Sequence, residues 1–155
     1  MHRRALQWPL DLRNEADIID ALQRVYRRAR RRMSIARAQP SVENLHDWRK
    51  QVKYLWHQLQ MLEPLRPRKI GEVADQMHKL SDHLGDDHDL AVLRERMQGN
   101  SRLFTRTSLQ SSLALIDQRR QALQSKAFAV GARALSDSPT AFAAHFEKLL
   151  RVRAR

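Results

Sequence analysis

Apolar residues recur every three or four positions along most of the chain, which is the periodicity of amphipathic helices. The most regular stripe predicts a helix over about 42–63 and consists of Leu45, Trp48, Val52, Leu55, Leu59 and Leu62. A similar stripe predicts another helix over about 15–38. Between them, Pro40 stops the first helix and Ser41 can cap the second. Strand-like alternation of useful length is lacking in the sequence, so the pattern predicts an all-helical fold.

The middle of the chain continues this pattern in two shorter stretches. A third helix is predicted over about 68–84 and ends at Gly85, because glycine commonly terminates helices in a left-handed conformation. Asp86 or Asp87 is then placed to cap a short fourth helix, which ends near Gly99.

The last part of the chain predicts two further helices, one over about 107–135 and one that starts at Ser138 and Pro139. Short connections between long helices favour antiparallel neighbours. The predicted fold class is therefore all-α, an antiparallel helical bundle of about five to six helices. Residues 1–13 are expected to form an irregular lead-in, and residues 14–155 a single helical domain.

The charge of the chain is strongly unbalanced, with 29 Lys and Arg against 17 Asp and Glu and a formal net charge of +12. Such an excess repels itself in a compact fold and indicates an anionic partner. Composition alone does not separate nucleic acid, an acidic membrane surface and polyphosphate. Cysteine is absent and no apolar run is long enough to cross a bilayer, so we expect a soluble, cytoplasmic protein without a membrane partner.

The helix predicted over 42–63 carries a basic face nearly opposite its apolar stripe. At about 100° per residue, five positive or titratable side chains share one acid-free sector: His46, Arg49, Lys50, Lys53 and His57. Glu43 and Asp47 lie at the border of this sector. A row of cations about 5–6 Å apart suits a linear polyanion lying along the helix. A solvated basic face without a ligand explains this helix, taken alone, equally well.

The helix predicted over 15–38 has arginine at almost every position outside its apolar stripe: Arg24, Arg27, Arg28, Arg30, Arg31, Arg32 and Arg37. Guanidinium groups bind phosphate in a bidentate manner and stay charged at physiological pH. Their mutual repulsion costs stability, which weakens a purely structural explanation. Two adjacent basic helices would form a trough for polyphosphate, whereas an arginine-rich arm for nucleic acid is the alternative.

The segment from Leu84 to Leu90 places a histidine among three aspartates. Capping of a helix start is the ordinary role of such aspartates. It would leave His88 in a first turn at the bundle surface, near Lys79 and His83 of the preceding helix. His88 and Lys79 are therefore candidates for contact with a polyanion.

The chain also contains two His–Asp pairs, His46–Asp47 and His88–Asp89, which superficially match the ligand set of HD-type metal-dependent phosphohydrolases. Cationic surroundings disfavour a divalent ion there, and adjacent residues of a helix point about 100° apart. The sequence has neither a glycine-rich phosphate loop nor a nucleophile motif. We therefore expect a non-catalytic protein without a metal or other cofactor, and the phosphohydrolase remains an alternative.

Three stretches of the sequence resemble the CHAD family, the conserved-histidine α-helical domain proteins. His46–Leu55 (HDWRKQVKYL) looks like the family's histidine-to-arginine helix motif, and Leu84–Leu93 (LGDDHDLAVL) is similar to its second signature. Tyr26–Arg30 looks like the arginine-rich helix upstream, so that the resemblance covers roughly residues 20–97. It implies a helical bundle that binds inorganic polyphosphate through Lys, Arg and His side chains without catalysis. Members of the family can accompany polyphosphate granules or be fused to a triphosphatase domain, so an association with such granules is one expectation for this protein.

Carried over by position, the resemblance implies a set of ligand contacts that consists of His46, Arg49, Lys50, Lys53 and His88, with Arg27, Arg28 and Arg31 next. The chain departs from the family because the histidine-to-arginine motif occurs once, whereas members commonly have two related helical halves beside a shared basic channel. It resembles the C-terminal half of a typical member.

This departure leads to an expectation about assembly. A homodimer would rebuild the two-sided site, and its apolar contact is expected at Leu103, Phe104, Phe142 and Phe146. A fragment or degenerate form with weaker binding is the alternative.

Overall fold

The computed structural model describes residues 15–151 and consists there of five α-helices without a strand. The helices are α1 (Glu15–Ala38), α2 (Val42–Leu62), α3 (Pro67–Gly99), α4 (Arg106–Ala134) and α5 (Pro139–Arg151). Short 3₁₀ turns at Glu63–Leu65 and Ser101–Leu103 precede α3 and α4. The all-α prediction is confirmed, whereas the predicted lead-in over 1–13 lies outside the described residues. Within residues 15–151, no helix is both long enough and apolar enough to span a membrane.

The helices pack as a bundle in which α2 lies between α1 and α3. α3 also packs against α4, and α1 packs against α5. Cross-helix contacts give the directions: Arg32 of α1 reaches Asp47 of α2, just beyond the short connection that joins the two helices. Consecutive helices of this kind run antiparallel, as the short connections predicted.

The apolar stripe of α2 forms the centre of the core, and all six of its residues are buried. Trp48 is completely buried and stacks on Phe128 of α4, with ring centroids 5.0 Å apart. Gly131 of α4 makes this possible, because a Cβ atom there would lie 2.8 Å from Cζ2 of Trp48. The bounds of α1 and α2 follow the sequence prediction to within a residue, because apolar stripes and a Ser41 cap define them.

The predicted break at Gly85 is wrong, because α3 runs without interruption from Pro67 to Gly99. No glycine among the described residues has a positive φ, so Gly85 does not end a helix. Its absent side chain serves close packing instead: a Cβ atom would lie 3.1 Å from Nη2 of Arg49. The helix does end at Gly99, as predicted, where Asn100 follows as its C-cap.

The predicted capping role of Asp86 or Asp87 is wrong for the same reason, since both lie within α3. Asp87 is 2% exposed and accepts hydrogen bonds from Arg120 Nε at 3.0 Å and from Gln124 Nε2 at 2.9 Å. These partners belong to α4, so Asp87 ties two helices together. Asp86 is exposed on the surface of α3.

Half of the expected dimer contact is also wrong, because two of its four residues belong to the core of one chain. Phe142 stacks on Tyr26 with centroids 3.8 Å apart, and Phe146 is completely buried. Burial raises the pKa of Tyr26 to about 12, and its hydroxyl donates to the carbonyl of Asp137 at 3.1 Å. Leu103 and Phe104 remain exposed, at 73% and 38%.

Candidate functional site

Three contacts fix how α2 lies against α3. The rings of His46 and His88 are in contact, Arg49 lies over Gly85, and Trp56 stacks on His78. Each advance along α2 is matched by an equal step back along α3, so the two helices are antiparallel and in register. This register joins the two motifs that lie 42 positions apart in the sequence.

We call His46, Arg49 and His88 the His–Arg cluster. The two imidazole centroids are 4.8 Å apart with planes tilted by 37°. Both Nδ1 atoms are buried, and neither has a hydrogen-bond partner among the described residues. For His46, the buried nitrogen without a partner favours the neutral ring, because a protonated Nδ1 would bury an unpaired N–H.

The electrostatics of the cluster act in the same direction. Burial lowers the pKa of His46 below its ordinary value, and the neighbouring His88, Lys50 and Arg49 lower it further. Asp47 opposes this shift. In the free protein, burial and then the positive neighbours lower the pKa of His46, and a negative ligand beside the ring would raise it.

Arg49 owes its position to the glycine beneath it. Its guanidinium group lies on the backbone of α3 at Gly85, with Nη2 and Nε 3.1 and 3.2 Å from where a Cβ atom would be. Nε is buried without a hydrogen-bond partner. Among residues 15–151, no carboxylate forms a salt bridge with Arg49. The group therefore retains N–H donors, which is unusual for a half-buried arginine.

Two of the acids near the cluster are engaged elsewhere. Asp47 lies 3.3 Å from Nη1 of Arg32 and 3.9 Å from Nζ of Lys50. Asp87 turns toward Arg120, away from α2. These two carboxylates are thus paired with cations, whereas Asp86 and Asp89 are exposed on α3 and form no salt bridge among residues 15–151.

The other residues expected on α2 lie at increasing distances from the cluster. Lys50 is exposed and Lys53 half-buried, one turn or less from Arg49. His57 is exposed eight residues beyond Arg49, about 12 Å along the helix, and its Nδ1 is 3.3 Å from Oε1 of Gln60. The basic side chains of α2 therefore form a row along the helix, at increasing distances from the His–Arg cluster, rather than one compact site.

The candidates outside α2 are less well grouped. Lys79 is exposed, six residues before Gly85, which places it about 120° around α3 from the contact with Arg49. Arg27, Arg28 and Arg31 are all exposed on α1. Arg28 lies one turn before Arg32, the arginine that reaches α2, and shares its side of the helix. Arg27 and Arg31 lie farther around.

Two structural residues of the site were not foreseen. The expected trough lay between the adjacent helices α1 and α2, whereas the histidines meet at the junction of α2 and α3. Gly85 supports Arg49 there, and Arg120 withdraws Asp87 from the same surface. The one local signal was a glycine inside an apolar periodicity, which fits close backbone packing as well as a turn.

The described residues offer little to a metal ion. Within residues 15–151, no group of three or more His, Asp or Glu side chains is arranged to hold one. Asp47 is paired with Arg32, and Asp89 is exposed on α3. The two His–Asp pairs thus contribute their histidines, but not their acids, to a common place.

Comparison with curated proteins gave no significant match, and comparison with solved structures gave none either. The family model described as the CHAD domain matches residues 2–98. This range includes α1, α2 and α3 up to its last residue, and with them every member of the His–Arg cluster. The match extends over more than half of the chain, and the protein belongs to the CHAD family.

Proposed function

We propose that this protein binds inorganic polyphosphate at the His–Arg cluster and along the adjoining face of α2, and leaves the polymer chemically unchanged. The observation that carries the proposal is the cluster itself. It brings two imidazoles and a guanidinium group together, with buried nitrogens that have no hydrogen-bond partner among residues 15–151. Membership of a family that is associated with polyphosphate supports the same ligand.

The chemistry of the three side chains suits phosphate. Arg49 offers a planar set of N–H donors that can hold two oxygens of one phosphate group. The imidazoles of His46 and His88 add donors whose strength increases on protonation. Each charge-assisted contact would contribute about 1.5–3 kcal/mol when shielded from water, and less when it stays hydrated.

The row on α2 suits a polymer better than a single phosphate. His46, Arg49, Lys53 and His57 follow one another at about one helical turn, and the row is about 16 Å long. A chain of linked phosphates can contact several of these groups at once, so that weak exposed contacts add up through effective concentration. Arg28 would extend the positive surface toward α1.

Nucleic acid is the competing polyanion, since it presents the same charge along its backbone. Specific single-strand binding normally adds aromatic platforms for the bases. Trp48 is buried in the core, and Trp56 stacks on His78, whereas Tyr54 is 51% exposed beside Lys53. This single aromatic residue makes a modest platform, so we place polyphosphate first.

Competition between the two polymers tests the proposed ligand. Long-chain polyphosphate carrying a fluorescent label is bound to the protein, and single- or double-stranded DNA is added at equal phosphate concentration. We expect DNA to displace the label weakly. Efficient displacement by DNA would make the protein a nucleic-acid-binding protein instead.

Absence of catalysis is tested separately. The protein is incubated with polyphosphate and Mg²⁺ or Mn²⁺, and released phosphate is measured. We expect none above a control without protein. Release that disappears in the His88→Gln and Asp89→Asn variants would support a phosphohydrolase.

The proposal also includes a homodimer that places two His–Arg clusters on opposite sides of one polymer. Positive surfaces repel each other, so we expect light scattering to detect the dimer with polyphosphate present. A monomer that binds polyphosphate tightly at one-to-one stoichiometry would show that one copy is sufficient.

A further inference from the structure

A second positive site lies at the N-terminal end of α3, away from the His–Arg cluster, which adjoins the middle of that helix. A cavity of about 480 Å³ opens there between the first turn of α3 and the last turns of α5, lined by residues 66–69, His145, Lys148 and Leu149. We call it the cationic pocket. Lys69 and Gly85 are separated by about 24 Å along the helix. The pocket is therefore a separate place on the molecule.

The helix end that forms one wall is positive for two reasons. Pro67 begins α3, and neither a side-chain cap nor an acid in the first turn lies among the described residues at this end. The partial positive charge of the helix N-terminus is thus not capped by a side-chain hydrogen bond, and the Glu63 carboxylate lies one turn further in, against Gly71. Arg66 and Lys69 add full charges, and Arg68 adds another that is shared with Glu72 at 3.6 Å.

The guanidinium group of Arg66 gives the pocket a fixed donor. Its Nε donates to the carbonyl of Leu149, near the end of α5, at 3.0 Å. This bond anchors the side chain between the two helices. Its Nη2 is buried and has no hydrogen-bond partner among residues 15–151. A buried, charged N–H group without an acceptor costs free energy, which a bound anion would offset.

The opposite wall comes from α5, where His145 and Lys148 are exposed on the same side as Leu149. Both residues lie beyond residues 2–98, the range of the family match. The lining also includes two apolar residues, Pro67 and Leu149, and it includes no acid. The volume lies in the range of sites for small molecules, about 300–1,000 Å³.

We propose that the cationic pocket binds a small organic phosphate monoester. The phosphate group accepts from Nη2 of Arg66 and from first-turn backbone N–H groups of α3, as anions commonly do at helix N-termini. Lys69 and Lys148 supply charge at the rim. Pro67 and Leu149 contact the organic part, which distinguishes the ligand from free phosphate.

Titration of the ¹⁵N-labelled full-length chain with adenosine monophosphate, followed by NMR, tests this assignment. We expect saturable shifts in the backbone amides of Arg66, Arg68, Lys69 and Ile70, and in those of residues 145–149. Inorganic phosphate, in a parallel titration, should shift the same amides at higher concentration, because it lacks an organic part. Equal affinity for the two probes would contradict the proposed class of ligand.

Charge-removing variants distinguish specific binding in the cationic pocket from non-specific attraction of the anion to a basic protein. Lys69→Gln with Lys148→Gln removes two exposed rim charges and should weaken adenosine monophosphate binding about tenfold. Lys126→Gln with Arg133→Gln removes two exposed charges from α4 and is the matched control. Equal weakening by both pairs would overturn the proposal, and so would shifts confined to the His–Arg cluster. Arg49→Gln should leave the pocket's shifts unchanged, so failure here and failure of polyphosphate binding are distinguishable.

Discussion

Two adjacent residues of α3, Asp87 and His88, lie in contrasting environments. Asp87 turns toward α4 and is fully satisfied there, with a salt bridge to Arg120 and a hydrogen bond from Gln124. His88 turns toward α2, where its ring contacts His46 and its Nδ1 has no hydrogen-bond partner in the described part of the chain. The two surfaces differ in hydrogen bonding. On the α4 side the polar groups of Asp87 are all paired, whereas on the α2 side a buried nitrogen of His88 has no partner among residues 15–151. An acid in a motif next to a histidine therefore need not share the histidine's role.

The first prediction concerns the interface between α3 and α4 at Asp87. Asp87→Ala leaves Arg120, whose side chain is 14% exposed, without its counter-charge. Removing one partner of a buried pair should lower the free energy of unfolding by about 3 kcal/mol, as measured by urea denaturation. Polyphosphate affinity of the folded fraction should stay the same, and a large loss of affinity without a loss of stability would refute the division between the two surfaces.

The second prediction concerns Gly131, beneath the core tryptophan. In Gly131→Ala the new methyl group would lie 2.8 Å from Trp48 and from the sulfur of Met33. Overpacking of this kind should lower the free energy of unfolding by about 1–3 kcal/mol. Thermal unfolding measures it, and an unchanged midpoint would show that the core adapts.

The third prediction breaks the binding surface without touching the core. Gly85→Ala puts a methyl group 3.1 Å from Nη2 of Arg49 and should displace this flexible side chain. We expect polyphosphate affinity to fall about tenfold, the value of one charge-assisted contact, with little change in stability. Gly99→Ala is the matched control, because nothing lies within 4 Å of its added atom. Equal affinities of the two variants would contradict the role of Arg49.

The fourth prediction is a dependence on pH. Burial and the neighbouring cations hold the pKa of His46 below 6.5, and bound phosphate should raise it. Binding then takes up a proton, so affinity should increase as pH falls through the raised pKa of the bound histidine and level off below the pKa of the free histidine. One coupled proton gives at most about tenfold per pH unit. Calorimetry in buffers of different ionisation enthalpy measures the uptake.

The control for this dependence is His46→Gln, which should lose part of it. Stability should respond in the opposite direction. Because the folded protein has the lower pKa, the free protein should lose stability as pH falls below 6.5. Affinity that is constant with pH would show that the histidines do not change charge on binding.

The smallest effects are expected at the edges of the site. Two substitutions test these edges, Lys79→Gln and Arg27→Gln. Lys79 is on a different side of α3 from the contact with Arg49, and Arg27 is on a side of α1 that faces away from α2. Each substitution should reduce polyphosphate affinity about twofold or less, since exposed charges act through screened attraction. A loss as large as that in Gly85→Ala would move the centre of the site away from the His–Arg cluster.

Periodicity predicted most of the fold, because apolar stripes and caps are local signals. The bounds of α1, α2 and α4 agree with the structure to within a residue or two. The prediction at Gly85 was wrong because glycine occurs both in turns and where helices pack closely. Only the contact with Arg49 in the folded structure shows that Gly85 serves close packing. The sequence around Asp87 does not indicate that this residue pairs with Arg120, because Arg120 lies 33 positions later in the chain.

The candidate site was predicted in composition but not in arrangement. The resemblance named the histidines and the basic residues of α2, and three of them, His46, Arg49 and His88, meet at the α2–α3 junction. The pairing of His46 with His88 depends on helix register, which a one-dimensional pattern does not contain. The cationic pocket was missed because residues about 80 positions apart form it.

Binding of long-chain polyphosphate to two matched triple variants tests the central claim most directly. Arg49→Gln, Lys50→Gln and Lys53→Gln together remove three charges at the cluster, whereas Arg119→Gln, Lys126→Gln and Arg133→Gln remove three exposed charges from α4. With circular dichroism confirming the fold of both, we predict that the first variant loses most of its affinity at physiological salt and the second loses little. Equal losses would contradict a site at the His–Arg cluster and leave only general attraction to a basic protein.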